Sequence, residues 1–177
     1  MRRFLAISFT TTALLAATGG VAWALYDRPA ALGSAGGSAG CEATDHGTAA
    51  DAAQAISGLT PGTRAALASA TEAAGHAGLK LIVNSGYRSA AYQQRVFDCW
   101  VTQTGSTQAA REHALPPNES AHVGGYAIDV VPAAAASWLE ESKGSYGLCR
   151  RYANEAWHFE YQASYKQSGC PALLSHP

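Results

Sequence analysis

Residues 126–131 read Tyr-Ala-Ile-Asp-Val-Val, an apolar run broken by one carboxylate. Ala127, Asp129 and Val131 alternate with Tyr126, Ile128 and Val130, and that spacing predicts a strand. A carboxylate in an apolar strand is costly to bury unless it is paired or binds a metal. The fold therefore has to bring cationic or metal-ligating groups to Asp129.

Two histidines are placed to do so. His122 lies seven residues earlier, and Gly124 and Gly125 between them let the chain fold back. His158 lies in a second predicted strand, residues 157–161, which can run beside the first. Two imidazoles and a carboxylate suit a catalytic zinc, which takes three protein ligands and keeps a fourth position open. Glu155 stands three residues before His158, where it can sit near the metal without binding it and act as a general base. Arg88, in the loop Ser85-Gly86-Tyr87-Arg88-Ser89, offers a permanent positive charge for a carbonyl oxygen or a carboxylate. Taken singly, each group has an ordinary explanation: a structural histidine, a chance Glu-x-x-His, a solvated arginine, a turn serine at Ser120. Jointly they point to a zinc hydrolase.

The chain has 177 residues, enough for one domain with a core that needs no disulfide scaffold. Hydrophobic residues are 47% and charged residues 14%, the reverse of a disordered composition. Net charge is -1, so the basic footprint of a nucleic-acid binder is missing. Arg2 and Arg3 precede an apolar stretch over residues 4–26. Two readings stand: a signal peptide cleaved after Ala24, or a single membrane anchor. Either places the remainder outside the cytoplasm. Residues 27–47 form an Ala/Gly/Ser-rich tether, and residues 48–177 the domain. Cys41, Cys99, Cys149 and Cys170 fit an oxidising compartment and allow three connectivities. Cys149 and Cys170 flank a short C-terminal unit, which favours pairing them and leaves Cys41 to staple Cys99.

Periodicity and caps predict a weak helix over residues 48–59 and a helix opened by Thr60-Pro61. A strand at 79–83 follows, then helices capped by Ser89 and Ser106, the strand at 126–131, a helix after Pro132, and the strand at 157–161. Helices come first and strands cluster later, which predicts an α+β fold with a small antiparallel sheet. Trp100, Trp138 and Tyr152 are assigned to the core. His46, His76, His113 and His176 are assigned to the surface. Tyr87 and Trp157, beside motif residues, are candidates to line the pocket. The tail from 171 to 177 carries no readable signal.

The segments SGYRS, SxHxxGxAxD and ExWHFEY, in this order, resemble the VanY-type D-alanyl-D-alanine carboxypeptidases over about residues 55–162. The resemblance implies a zinc D,D-carboxypeptidase acting on peptidoglycan stem peptides that end in D-Ala-D-Ala. It implies the zinc D-Ala-D-Ala peptidase (hedgehog-like) fold, a small antiparallel sheet flanked by helices. His122, Asp129 and His158 match the zinc ligands, Glu155 the catalytic base and Arg88 the transition-state arginine. Ser120 matches a residue near the substrate carboxylate. One departure is visible: Ala156 stands where the family usually has proline.

A D,D-dipeptidase or a peptidoglycan endopeptidase on the same metal site is the nearest alternative. Export argues against the dipeptidase, whose substrate is cytoplasmic. A wall-binding module without catalysis would be expected to lose a ligand or Glu155, and none is lost. A zinc-stabilised signalling or adhesion domain would not need the retained Glu155. A monomer is expected.

Overall fold

The computed structural model describes Cys41 and residues 54–177. Residues 1–26, read as an export segment, residues 27–47 apart from Cys41, read as a tether, and the first part of the helix expected at 48–59 lie outside the described residues. Residues 54–57 are helical.

Helix α1 (Pro61–His76) starts where expected: the Thr60 side chain accepts from the Thr63 N–H and Pro61 occupies the first turn. Its buried stripe is Ala66, Leu67, Ala70 and Ala74, one face of a helical repeat. Strand β1 (Ile82–Ser85) follows. Helix α2 (Ala90–Thr104) is capped by the Ser89 hydroxyl and ends at Gly105, whose φ of 78° is the left-handed conformation glycine adopts freely. Helix α3 (Thr107–Ala110), capped by Ser106, is a single turn. Strand β2 (Ala127–Val131) leads through Pro132 into helix α4 (Ala133–Glu141). Strands β3 (Leu148–Arg150) and β4 (His158–Tyr161) and the short helix α5 (Tyr165–Ser168) complete the order.

The four strands form one antiparallel sheet in the order β1-β2-β4-β3. Successive strand residues face opposite sides. Ile128 and Val130 of β2, Phe159 of β4 and Leu148 of β3 therefore enter one core with the buried stripe of α1 and with Ala135, Ala136 and Leu139 of α4. Phe159 and Ile128 are fully buried, and each contributes about 1.5–3 kcal/mol. A second cluster is built on α2 from Tyr92, Val96, Phe97 and Trp100, with Cys41, Ala110 and Ala114. The disulfides are Cys41–Cys99 and Cys149–Cys170. Among the described residues no helix is long and apolar enough to cross a membrane.

Three local expectations shift. The first strand lies at Ile82–Ser85 rather than 79–83, because pairing with β2 sets its place and Leu81 turns into the core instead. Ser85, read as loop, is thus a strand residue paired with Asp129. Strand β3 was not expected, since three residues behind a glycine turn carry no periodicity.

Candidate active site

The pairing register builds the floor of the site. Asp129 of β2 stands opposite His158 of β4 on one side and opposite Ser85 of β1 on the other. Asp129 and His158 turn away from the core that their neighbours fill, and Glu160 joins them two residues along β4.

His122 comes from the loop ahead of β2. Gly125 turns that loop with φ 71°, its N–H donating to the His122 carbonyl at 3.1 Å. The imidazole is then oriented by the Gly86 carbonyl, 2.7 Å from Nδ1. A carbonyl only accepts, so Nδ1 carries the proton and Nε2 turns its lone pair toward Asp129 Oδ1 at 3.4 Å. Burial, reinforced by the Arg88 charge, lowers the His122 pKa and keeps the ring neutral.

His158 places Nδ1 3.2 Å from the same Oδ1 and Nε2 3.4 Å from Glu160 Oε1. Burial works against its charge, yet the hydrogen bonds to Asp129 and Glu160 outweigh burial and raise its pKa to about 10. Burial would likewise raise Asp129, but the hydrogen bond to His158 and the Arg88 charge hold it well below the usual carboxylate range. Asp129 Oδ2 accepts from Arg88 Nη2 at 3.0 Å. Arg88 is itself buried and braced, with Nε donating to Ser85 Oγ at 2.9 Å and Nη1 to Gln93 Oε1 at 3.3 Å. Gln93 is held in turn by its Nε2 donating to the Leu115 carbonyl.

This donor set can be tested against zinc. The ligand atoms of His122, Asp129 and His158 all lie within 4.8 Å of one another, and all three residues are buried. Two ligands at about 2.0–2.1 Å from a tetrahedral zinc stand about 3.3 Å apart. The separations of 3.4 Å and 3.2 Å about Asp129 Oδ1 match that edge. The far atom of each ligand is also held, by the Gly86 carbonyl, by Arg88 and by Glu160, as outer partners orient metal ligands. A neutral imidazole lone pair facing an ionised oxygen is repulsive unless a cation lies between them. The residues present fit a zinc ion.

Glu155 approaches from the turn before β4. Its N–H donates to the Tyr152 carbonyl and its carbonyl accepts from the His158 N–H, so two backbone bonds close the turn that lacks proline at Ala156. The Trp157 carbonyl accepts from the Val130 N–H, tying the turn to β2. Glu155 Oε2 stands 3.8 Å from His158 Nδ1, beside the convergent ligand atoms and not among them.

These side chains open onto one cavity. Arg88, Ser120, His122, Asp129, Glu155, Trp157 and His158 all line it. Tyr87 does not; its ring packs over Gly58 and against the main core. Further residues were not expected there. His113, assigned to the surface, is half-buried, stacks on Trp100 at 4.2 Å between ring centres, and lines the cavity with Gln93. Tyr152 is buried as expected of core, but it also lines the cavity, and its hydroxyl donates to Glu160 Oε1 at 3.3 Å. Burial and the Glu160 charge raise the Tyr152 pKa, so the hydroxyl keeps its proton. Glu160 was legible in principle, since it shares the strand face of His158 at an offset of two. Gln93 and His113 had no local signal.

No curated protein sequence matches the chain. Solved structures do. A vancomycin-resistance D,D-pentapeptidase, VanY from a VanB-type cassette with Zn(II), is 26% identical, with 63% of this chain and 80% of that chain covered and a TM-score of 0.55. VanYB in complex with D-alanine-D-alanine is 26% identical over 63% and 79% of the two chains, with a TM-score of 0.55. The LD-carboxypeptidase LdcB is 26% identical over 62% and 61%, also with a TM-score of 0.55. The profile of the VanY family, D-alanyl-D-alanine carboxypeptidase, matches residues 57–171, which span the sheet, the buried His-Asp-His set and the Glu155 turn. The chain has a peptidoglycan-peptidase fold and belongs to the VanY family.

Proposed function

We propose that residues 48–177 are a zinc-dependent D,D-carboxypeptidase domain that removes the terminal D-Ala from peptidoglycan stem peptides outside the cytoplasm. The observation that carries this reading is the buried convergence of His122, Asp129 and His158 beside Glu155 in one cavity. The two disulfides support an oxidising compartment. A signal peptide or anchor at residues 1–26, the tether at 27–47 and a monomeric state complete the proposal.

His122 Nε2, Asp129 Oδ1 and His158 Nδ1 would hold the zinc, which when bound supplies Lewis acidity to water and to a carbonyl. Glu155 takes the proton of the attacking water at its carboxylate and returns it to the amine of the departing D-Ala. Arg88 keeps a fixed positive charge at the cavity wall, where it stabilises negative charge developing on the carbonyl oxygen. Bonds to Ser85, Gln93 and Asp129 fix it before substrate arrives. Ser120 is the proposed partner of the substrate carboxylate, and Trp157 a wall for the peptide. Tyr87 supports the Arg88 loop from behind.

A second reading, an L,D-carboxypeptidase, is favoured by the likeness to LdcB. Matched peptides ending in D-Ala-D-Ala or in an L-residue followed by D-Ala separate the two: the proposal predicts preferential release from the first, and preferential release from the second overturns the D,D assignment. The same assay on intact cross-linked peptidoglycan tests the endopeptidase alternative.

A further inference from the structure

The tail after Cys170 has no apolar reason to be where it is. Leu173 and Leu174 are 42% and 51% exposed, so the tail is not fixed by burying them. It is fixed by the backbone. The Leu174 carbonyl accepts from the Ala153 N–H at 2.7 Å, and its N–H donates to the Arg151 carbonyl at 2.9 Å. These bonds make a parallel bridge between Leu174 and Tyr152. The Cys149–Cys170 disulfide anchors the root of the tail to β3.

Beyond the bridge the tail turns inward. His176 and Pro177 are half-buried while residues 171–175 are exposed. Pro177 lines the same cavity as Glu155 and His158. The segment it is zipped to is also part of the site, since Tyr152 lines the cavity and bonds to Glu160 behind His158.

We propose that residues 171–177 are a wall of the substrate cavity that determines specificity, admitting a free linear stem peptide and rejecting a bulkier cross-linked one. This rests on the peptidase reading for its substrates. The physical argument is steric. A groove open along its length accepts a chain that continues past the site, whereas a cavity bounded by protein favours a ligand that is small there. Pro177 is a rigid ring with no N–H, so it bounds the space without offering the substrate a backbone donor.

The test uses the full chain with zinc and two substrates, a linear D-Ala-D-Ala stem peptide and the same stem within a cross-linked dimer. Deleting residues 175–177 leaves the Leu174 bridge and both disulfides in place. It should raise kcat/KM for the cross-linked substrate relative to the linear one by about tenfold, the scale of losing one pocket contact. Pro177→Phe should move the ratio the opposite way, which a loss of general stability would not do. Access is also read without turnover, as acrylamide quenching of Trp157, taken as the difference between each variant and its Trp157→Phe counterpart. Quenching should rise on deletion and fall with Pro177→Phe. Ratios and quenching both unchanged overturn the wall. Quenching that shifts as expected while the full chain turns over neither peptide upholds the wall and refutes the substrate class instead.

Discussion

Gly86→Ala tests how the backbone orients His122. A Cβ at residue 86 would stand 2.2 Å from the Ala55 carbonyl oxygen, about 1 Å inside the closest ordinary contact. The obstacle is backbone, so no side-chain rotation relieves it. That same carbonyl accepts the Tyr87 N–H at 2.8 Å, and the loop must part from residues 54–57 to make room. Overpacking costs about 1–3 kcal/mol and the loosened hydrogen bond about 1 more, so stability should fall by roughly 2–4 kcal/mol. The functional effect comes from the other side of the peptide. The Gly86 carbonyl lies 2.7 Å from His122 Nδ1, and moving it frees the ring that should hold metal through Nε2. Loss of such an outer partner lowers metal affinity about 10–100-fold. Competition with a chromophoric chelator measures zinc affinity, and thermal unfolding of the metal-free protein measures stability. A fall in melting temperature with unchanged zinc affinity would refute the claim that Gly86 orients His122. No change in either would refute the packing argument itself.

Two further predictions concern the groups around His158. Glu160→Gln removes the charge facing His158 Nε2 and should weaken zinc about 10–100-fold. Glu155→Gln should leave zinc affinity close to that of the unaltered chain, and equal losses in the two variants would contradict the separation of roles. In metal-free protein the His158 pKa is raised from 6.5 to about 10, so its stabilising contribution is complete below pH 6.5 and is lost as pH rises to about 10. Thermal unfolding in chelator should show that decline, and His158→Ala should abolish it; a flat profile in the unaltered chain would contradict the charged His158–Asp129 pair.

The parts of this molecule legible in its sequence were those with local causes. The Thr60, Ser89 and Ser106 caps announce their helices because a side-chain oxygen meets an N–H three residues on. The alternation around Asp129 announces a strand, and an ionisable group in an apolar strand announces partners. What stayed hidden depends on register and on distant chain. Ser85 looked like loop because the residue that makes it a strand, Asp129, is 44 positions away and pairs with it only in the sheet. The Gly86 carbonyl could not be read as the anchor of His122, since backbone atoms carry no residue signature. Tyr152 has the composition of core and is buried, yet one edge faces the cavity. Tyr87 sits beside Arg88 in sequence, but adjacent residues of a loop diverge, and its ring goes to Gly58. The tail at 171–177 is held by backbone bonds whose only residue requirement is that neither Ala153 nor Leu174 be proline.

The central claim is that Glu155 and a zinc held by His122, Asp129 and His158 cleave a D-Ala-D-Ala peptide. Release of free D-Ala by residues 41–177, produced with both disulfides formed, tests it most directly, with zinc, with chelator, and with Glu155→Ala in place of the unaltered chain. The account predicts release that needs zinc, stops in chelator and returns when zinc is restored. In Glu155→Ala, which still binds zinc, release should fall by at least about 10²–10⁴-fold, the range for a lost general base. Undiminished release by Glu155→Ala, or silence from the unaltered chain with zinc demonstrably bound, would contradict it.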